Sequence, residues 1–222
     1  MKLYYFDGST TCRPIVALAA EAGVPLDLQV VNLFAGEHMT PDYTAMNPNQ
    51  LVPMLEDGDF RLTEGSAILK YLAEVSGSTA YPSDPRGRAR VNEEMDWFNT
   101  GFYREWGYGV IYPKVLAYTA YPDAQVQKVV SDRCAEKAER LIGILNDHML
   151  KDPGPYLGGA QPNLADFMGV AYVTIGEMLA FDFTRYPRVQ RWIAAMRGRP
   201  SWAKANAGFE GWRDAVLAQS AA

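Results

Sequence analysis

A short polar segment near the N-terminus has residues that could hold a reactive thiolate. It runs Gly8-Ser9-Thr10-Thr11-Cys12-Arg13-Pro14, between a β-rich run and a helical pattern. A helix start presents positive backbone dipoles that favour a thiolate, and a serine hydroxyl can add a charge-assisted hydrogen bond. Lowering a thiol pKa of about 8.5 by ~2 units takes roughly 2.7 kcal/mol, which these two effects can supply together. The alternative is that Ser9 and Thr10 only cap the helix.

A second group of residues could bind a small peptide by its backbone and its carboxylate. Val52-Pro53 stands at the head of a β-type run, where the proline leaves backbone groups beside it without sheet partners. A helix then opens at Glu64-Gly65-Ser66, and its first N–H groups favour an anion.

A third group is aromatic and lies further along the chain, among Gly101, Gly107 and Gly109. Its members are Phe98, Phe102, Tyr103, Trp106, Tyr108 and Tyr112. Most such clusters are core. The glycines, however, argue against a regular packed helix and favour a partly exposed wall that could line a cleft.

Composition limits the partners of the protein. The chain has 222 residues, 48% of them hydrophobic, and a net charge of −5, so nothing favours nucleic acid or an anionic membrane. Cys12 and Cys134 lack metal-ligand spacing and are too few for a disulfide framework. Asp7 comes too early for a signal peptide, and no apolar run approaches the ~20 residues of a membrane span. We therefore expect a cytoplasmic protein without a metal.

Periodicity predicts an α/β first third and a helical remainder. The first part shows the order β-α-β-loop-β-β-α, with a hairpin turn at Asp57-Gly58. A turn-rich linker follows at residues 78–87, and helical patterns then cover residues 89–103, 126–150, 164–178 and 189–196. We predict one domain over residues 1–77 and an all-helical domain over residues 88–222.

Taken together, these motifs resemble the cytosolic glutathione S-transferases. Gly-Ser-x-x-Cys-Arg after the first strand is similar to the theta and delta classes, whose catalytic serine occupies the Ser9 position. The resemblance implies a thioredoxin-like N-terminal domain followed by an all-α domain, a homodimer, and glutathione as co-substrate. It also implies that Ser9 holds the glutathione sulfur as a thiolate. That thiolate attacks a small electrophilic or hydrophobic substrate, by conjugation or by dehalogenation.

The resemblance also assigns binding residues. Val52 before a cis-Pro53 resembles the family's backbone clamp, and Glu64 with the helix behind it resembles the site for the γ-glutamyl end. The chain departs from the commonest pattern, Glu-Ser, because position 65 is glycine. The predicted glutathione site comprises Ser9, His38, Gln50, Leu51, Val52, Pro53, Glu64, Gly65 and Ser66. The candidates for the second-substrate pocket are Thr10, Thr11, Tyr103, Arg104, Trp106 and Tyr112.

Two conspicuous residues are expected to have structural roles. Asn163 and Asp166 resemble the N-capping box of the family's helical domain, so Asp166 is not expected to be catalytic. Cys12 is expected to be a buried small hydrophobe rather than a nucleophile.

Two other functions remain open from the sequence. One is a protein of the same fold that binds glutathione or apolar ligands without turnover. The other is a glutathione-dependent thiol–disulfide oxidoreductase, which would need a reactive cysteine where the chain has Thr10 and Thr11.

Overall fold

The structure, a computed structural model, describes residues 1–220 and divides into two compact units. The first unit contains Met1–Tyr81 together with Pro200–Trp212. The second contains Pro82–Arg199 and the remaining chain from Arg213. Residues 200–212 therefore group with the N-terminal part, which the prediction of one helical domain over residues 88–222 does not include.

The first unit is a four-stranded mixed sheet with helices, as the sequence predicts for a thioredoxin-like fold. Its strands are β1 (Lys2–Tyr5), β2 (Asp27–Val30), β3 (Met54–Asp57) and β4 (Phe60–Leu62). Their spatial order is β2-β1-β3-β4, with β1 parallel to β2 and the other two pairs antiparallel. Before residue 82 its α-helices are α1 (Arg13–Glu21), α2 (Pro41–Met46) and α3 (Gly65–Ser76).

The apolar periodicity of the first unit explains its core. Leu3 is fully buried in β1, where it lies opposite Leu28 of β2 and Leu55 of β3. Ile15 of α1 and Ile68 of α3 are also fully buried, as the helical spacing of their neighbours predicts. The sheet and its helices thus hold the loops that follow β1 and precede β3.

The regular secondary structure of the second unit is helical. It contains α4 (Pro85–Asp96), α5 (Tyr112–Val115), α6 (Ala124–Ile144), α7 (Leu164–Thr174), α8 (Pro187–Arg197) and the end of α9 (Trp202–Ser220). Between α4 and α5 the chain stays helical but widens into π-helical turns over Trp97–Phe102 and Arg104–Ile111. Such widened turns insert extra backbone into a helix and are often found near functional sites.

The glycines of this widened segment do not interrupt the helical chain. They make room for neighbouring side chains: a β-carbon at Gly107 would stand 2.7 Å from the Tyr103 ring. A β-carbon at Gly109 would overlap Cys134 of α6. The expectation that these glycines prevent helical packing is therefore wrong, because two of them permit close packing instead.

The capping box of α7 is present as predicted. Asn163 Oδ1 accepts hydrogen bonds from the N–H groups of Ala165 and Asp166, and the Asp166 carboxylate accepts one from the Asn163 N–H. Asp166 also accepts hydrogen bonds from the Leu157 N–H and from Trp192 Nε1, both at 2.7 Å. This fully buried carboxylate therefore joins α7, α8 and the preceding loop.

Residues 1–220 show neither a membrane-spanning helix nor a cluster of metal-binding side chains. No helix there has the length and apolar character to cross a membrane. Nor does that part of the chain bring together three or more His, Cys, Asp or Glu side chains that could hold a metal ion.

Candidate functional site

Ser9 lies in the tight turn between β1 and α1. Its N–H donates to the Phe6 carbonyl at 3.0 Å, and its own carbonyl accepts from the N–H groups of Cys12 and Arg13 at 3.1 and 3.0 Å. The Ser9 hydroxyl lies 3.3 Å from the Thr11 hydroxyl and does not bond to a backbone N–H of α1. The interpretation of Ser9 as a helix cap is therefore wrong.

Thr11 is the residue at which the two predicted chemical groups meet. Its hydroxyl donates to the Val52 carbonyl at 3.3 Å, in the loop before Pro53. Its carbonyl faces the start of α3, where a β-carbon at Gly65 would stand only 3.3 Å away. The Ser9 turn, the Val52 loop and the α3 N-terminus are thus in contact within the first unit.

Hydrogen bonds to the Leu51 carbonyl hold the loop before Pro53 and leave the Val52 N–H unpaired among the described residues. The Leu51 carbonyl accepts hydrogen bonds from the Tyr43 hydroxyl and from Asn47 Nδ2, both at 2.7 Å. The Val52–Pro53 peptide bond is cis, as expected. Among the described residues the Val52 N–H has no hydrogen-bond acceptor, so this group can pair with the main chain of a ligand.

The N-terminus of α3 offers uncapped N–H groups beside an acidic side chain. Glu64 occupies the N-cap position with a φ of 66°, and its side chain does not cap the helix. Its carboxylate is exposed and has no hydrogen-bond or ion-pair partner in the described part of the chain. A left-handed φ at a non-glycine residue costs on the order of 1–3 kcal/mol and is concentrated at binding sites.

Glycine at position 65 has a structural reason. Because the Thr11 carbonyl approaches it so closely, a larger residue would push α3 away from the Ser9 turn or force that carbonyl to move. Ser66 follows as the second residue of α3 and is half-buried. Glycine in place of the commoner serine at position 65 therefore lets the N-terminus of α3 lie near the Ser9 turn, although the serine hydroxyl is lost.

His38 and Gln50 occupy different surroundings. His38 lies in a 3₁₀ turn, Glu37–Met39, and its Nδ1 atom is buried without a hydrogen-bond partner among the described residues. The Gln50 side chain donates to the Thr44 hydroxyl of α2 at 3.0 Å, and its backbone has a φ of 55°. The His38 Nδ1 atom is thus unpaired among the described residues, whereas the Gln50 side chain has a partner on α2.

Cys12 is a buried side chain rather than a reactive thiol. Its exposed fraction is 1%, and burial raises the pKa of the Cys12 thiol to about 11. A thiol with such a pKa is almost wholly protonated at neutral pH. The expectation of a small buried hydrophobe is confirmed.

The candidates for the second-substrate pocket are mostly buried in the structure. Thr10, Tyr103, Trp106 and Tyr112 have exposed fractions of 5%, 7%, 4% and 7%, respectively. In the second unit, the Tyr103 and Tyr112 hydroxyls lie 2.6 Å apart, and Trp106 Nε1 donates to the Val173 carbonyl at 3.2 Å. Arg104 is exposed and pairs with Glu105 at 2.8 Å. This environment favours the core interpretation of the three aromatic residues, and the pocket remains a prediction.

The structure gives Thr11 and Tyr108 contacts that the sequence did not predict. Thr11 is a predicted pocket residue, yet its hydroxyl joins Ser9 to Val52. Tyr108 was not among the pocket candidates, but it is 59% exposed and its ring contacts those of Tyr103 and Tyr112. The second hydroxyl two residues after Ser9 was the available signal for Thr11, whereas nothing in the pattern distinguished Tyr108.

Two family models match the chain. The glutathione S-transferase N-terminal domain matches residues 1–74, and the glutathione S-transferase C-terminal domain matches residues 111–200. Both matches lie where the sequence predicts the α/β part and the helical part.

Solved structures of similar proteins cover nearly the whole chain. A delta-class glutathione transferase from Nilaparvata lugens is 30% identical over 98% of each chain, with a TM-score of 0.79. Human glutathione transferase theta-2, in complex with glutathione and an unknown ligand, is 28% identical over 98% of this chain and 90% of that one, with a TM-score of 0.82. A Bombyx mori glutathione transferase is 26% identical over 96% of each chain, with a TM-score of 0.83. With this agreement in sequence, coverage and fold, the chain belongs to the glutathione S-transferase family of enzymes.

Proposed function

We propose that this protein binds glutathione as a co-substrate and activates it as a thiolate that attacks a small, electrophilic, apolar substrate. The observation that carries the proposal is the contact of three segments around Thr11. They offer a hydroxyl for the sulfur, a free main-chain N–H for the cysteinyl unit and bare helix N–H groups for a carboxylate. A tripeptide thiol needs all three.

In this proposal each end of glutathione has its own partners. The Val52 N–H and carbonyl pair with the cysteinyl main chain, and the Val52 carbonyl keeps its hydrogen bond from the Thr11 hydroxyl, because a carbonyl oxygen can accept two hydrogen bonds. The Glu64 carboxylate binds the γ-glutamyl ammonium, while the N–H groups of Gly65 and Ser66 bind its carboxylate. His38 and Gln50 are the predicted partners of the glycyl end, and Leu51 and Pro53 hold the loop beside it.

The chemical step forms a carbon–sulfur bond. The thiol proton leaves to solvent, and the Ser9 O–H donates a hydrogen bond to the resulting thiolate. A sulfur lone pair attacks the electrophilic carbon, and in a substitution the leaving group departs with the electrons of the broken bond. A hydrogen bond to a charged group is worth about 1.5–3 kcal/mol, so Ser9 lowers the thiol pKa by about 1–2 units.

Replacing Ser9 tests the proposal directly. The ultraviolet absorbance of the bound thiolate is titrated against pH in wild type and in Ser9→Ala, and turnover is measured with a panel of electrophiles. We expect Ser9→Ala to bind glutathione with little loss, to raise the thiol pKa and to reduce turnover about tenfold or more, equivalent to at least ~1.4 kcal/mol.

A matched control uses Ser76, the last residue of α3, which is at the opposite end of that helix from the proposed site. Ser76 bonds to the Leu72 carbonyl, and Ser76→Ala removes the same atom without touching the site. An unchanged thiol pKa and unchanged turnover in Ser9→Ala, compared with this control, would exclude Ser9 as the sulfur ligand.

Two alternative functions give different results in the same assays. A binding protein without turnover would bind glutathione in calorimetry and leave every electrophile unchanged. A thiol–disulfide oxidoreductase would reduce a mixed disulfide and lose that activity in Cys12→Ala. The buried Cys12 thiol, with its raised pKa, argues against this last function.

We also propose that the protein is a cytoplasmic homodimer. Support comes from its likeness to the transferase family. Sedimentation velocity over a range of protein concentrations tests the dimer, and fractionation of the source cells tests the location.

A further inference from the structure

The first half of α9 lies against the loop that carries Ser9, inside the first unit. Gly8 has a φ of 81°, and a β-carbon there would stand 3.0 Å from the Phe209 nitrogen and 3.1 Å from the Gly208 carbonyl carbon. A β-carbon at Gly208 would in turn overlap the Asp7 carboxylate. The backbone of the loop immediately before Ser9 therefore packs directly against the backbone of α9, with no room for a side chain between them.

Arg13 forms a second connection between α9 and the Ser9 turn. Its Nη1 donates to Asn206 Oδ1 at 2.8 Å, and its guanidinium lies 3.8 Å from the centre of the Phe209 ring. Arg13, Asn206 and Phe209 are all buried, with exposed fractions of 2%, 4% and 1%. A buried guanidinium held by a hydrogen bond and a ring face has little freedom to shift.

Both connections reach Ser9 through short backbone links. The Arg13 N–H donates to the Ser9 carbonyl at 3.0 Å, so a shift of Arg13 moves the turn that orients Ser9. Gly8 precedes Ser9 directly in the chain. A third contact, from the Ser201 hydroxyl to Glu21 at 2.6 Å, ties the residue just before α9 to the end of α1.

We propose that Asn206, Gly208 and Phe209 of α9 are positioning residues for Ser9, acting through Arg13 and Gly8. This inference rests on the proposed role of Ser9 as the sulfur ligand. None of the three residues needs to touch glutathione. They set the place of the Ser9 hydroxyl, and so the strength of its hydrogen bond to the thiolate.

The test measures the pKa of the bound glutathione thiol, by ultraviolet titration, in variants of α9. Asn206→Ala removes the acceptor of Arg13, whereas Asn206→Asp keeps an oxygen there. Both lose the bond from Asn206 Nδ2 to the Trp202 carbonyl, so their difference reports the Arg13 contact together with the negative charge that aspartate adds. We expect Asn206→Ala to raise the thiol pKa by about 0.5–1 unit, which is threefold to tenfold less thiolate below that pKa, and Asn206→Asp to restore it.

A glycine pair on α9 supplies an independent comparison. Gly208→Ala introduces the overlap with Asp7, whereas Gly211→Ala, on the same helix, meets no atom within 4 Å. We expect a raised thiol pKa in Gly208→Ala, a wild-type value in Gly211→Ala, and recovery when Asp7→Ala is added to Gly208→Ala. Asp7→Ala removes only the carboxylate that Gly208→Ala would overlap. The glycine variants therefore test the inference even if Asn206→Ala does not fold.

The outcomes separate this inference from the proposed function. If Ser9→Ala raises the thiol pKa while folded Asn206→Ala and Gly208→Ala leave it at the wild-type value, α9 does not position Ser9 and the inference is overturned alone. If the melting temperature falls but the thiol pKa stays, these residues only stabilise the fold. If Ser9→Ala itself leaves the thiol pKa unchanged, both the proposed function and the inference fail.

Discussion

Glu94 should make the stability of the protein depend on pH in an unusual direction. Its Oε2 accepts a hydrogen bond from Asn163 Nδ2 at 2.9 Å, and the Asn163 N–H donates to Asp166 at 2.8 Å. Burial, together with the nearby Asp166 charge, raises the pKa of the Glu94 carboxyl from 4.5 to about 7. The hydrogen bond from Asn163 Nδ2 lowers the pKa of Glu94, but it offsets only part of the rise that burial causes.

The sign of the effect follows from proton binding. Between pH 4.5 and 7 the folded protein holds a proton on Glu94 that the unfolded chain has lost. The free energy of unfolding contributed by Glu94 is therefore highest below pH 4.5 and decreases as the pH rises through 7. The full shift corresponds to about 3 kcal/mol, and partial exposure of the side chain reduces it to about 1–3 kcal/mol.

The substitution Glu94→Gln isolates this contribution. Glutamine keeps the oxygen that accepts from Asn163 and cannot ionise. We expect Glu94→Gln to be more stable than wild type by less than about 1 kcal/mol at pH 5, and by about 1–3 kcal/mol at pH 8. Urea unfolding at both pH values measures the difference, and titrating groups that do not interact with Glu94 cancel in the comparison.

Glu93→Gln is the matched control. Glu93 is the neighbouring residue, its side chain is 64% exposed, and it pairs with Arg90. We expect this variant to differ from wild type by less than about 1 kcal/mol at both pH values. A Glu94→Gln protein that is less stable than wild type at pH 8, or that differs from it by the same amount at pH 5 and pH 8, would refute the reasoning.

Three further predictions concern the site and the aromatic cluster. Glu64→Ala should weaken glutathione binding by about 1–3 kcal/mol in calorimetric titration, since it removes the charged partner of the ammonium, and a wild-type affinity would mean another orientation or another ligand. Thr11→Val should reduce turnover about twofold to tenfold while Thr11→Ser retains it, because only the serine keeps the hydroxyl that joins Ser9 to Val52; equal rates in the two variants would contradict this link. Trp106→Ala should cost about 3–5 kcal/mol of stability, because the indole is buried and bonded to Val173, and lower activity on all electrophiles alike. A stable Trp106→Ala protein with a changed ranking of electrophiles would instead support the pocket assignment.

Much of the fold could be predicted because its signals are local. Alternating strands, helical spacing at Ile15 and Ile68, and turn residues such as Gly58 depend on neighbours in sequence. The capping box at Asn163 and Asp166 is equally local, since its two hydrogen bonds join residues three apart. The widened helical turns around Gly107 were not predicted, because helix widening depends on the side chains that pack into the gap.

The candidate site was predictable as a set of residues but not as an arrangement. Ser9, Val52 and Glu64 could each be selected by type and position, and their roles remain predictions. Their contact through Thr11 could not be inferred, because it depends on the approach of segments 41 or more residues apart. The same limit applies to Trp106, whose burial depends on Val173 and Gly176.

The sequence by itself determined the family, the order of the elements and the residue types available for thiol chemistry, since these depend on composition, periodicity and short motifs. Only the tertiary structure decided that Thr11 joins Ser9 to Val52, that Cys12 is too buried to react, and that α9 lies against the Ser9 loop. The physical reason is the separation along the chain of the residues that determine each property. Hydrogen bonding within a turn is set by adjacent residues, whereas burial, pKa and close backbone packing depend on distant chain segments that only folding brings together.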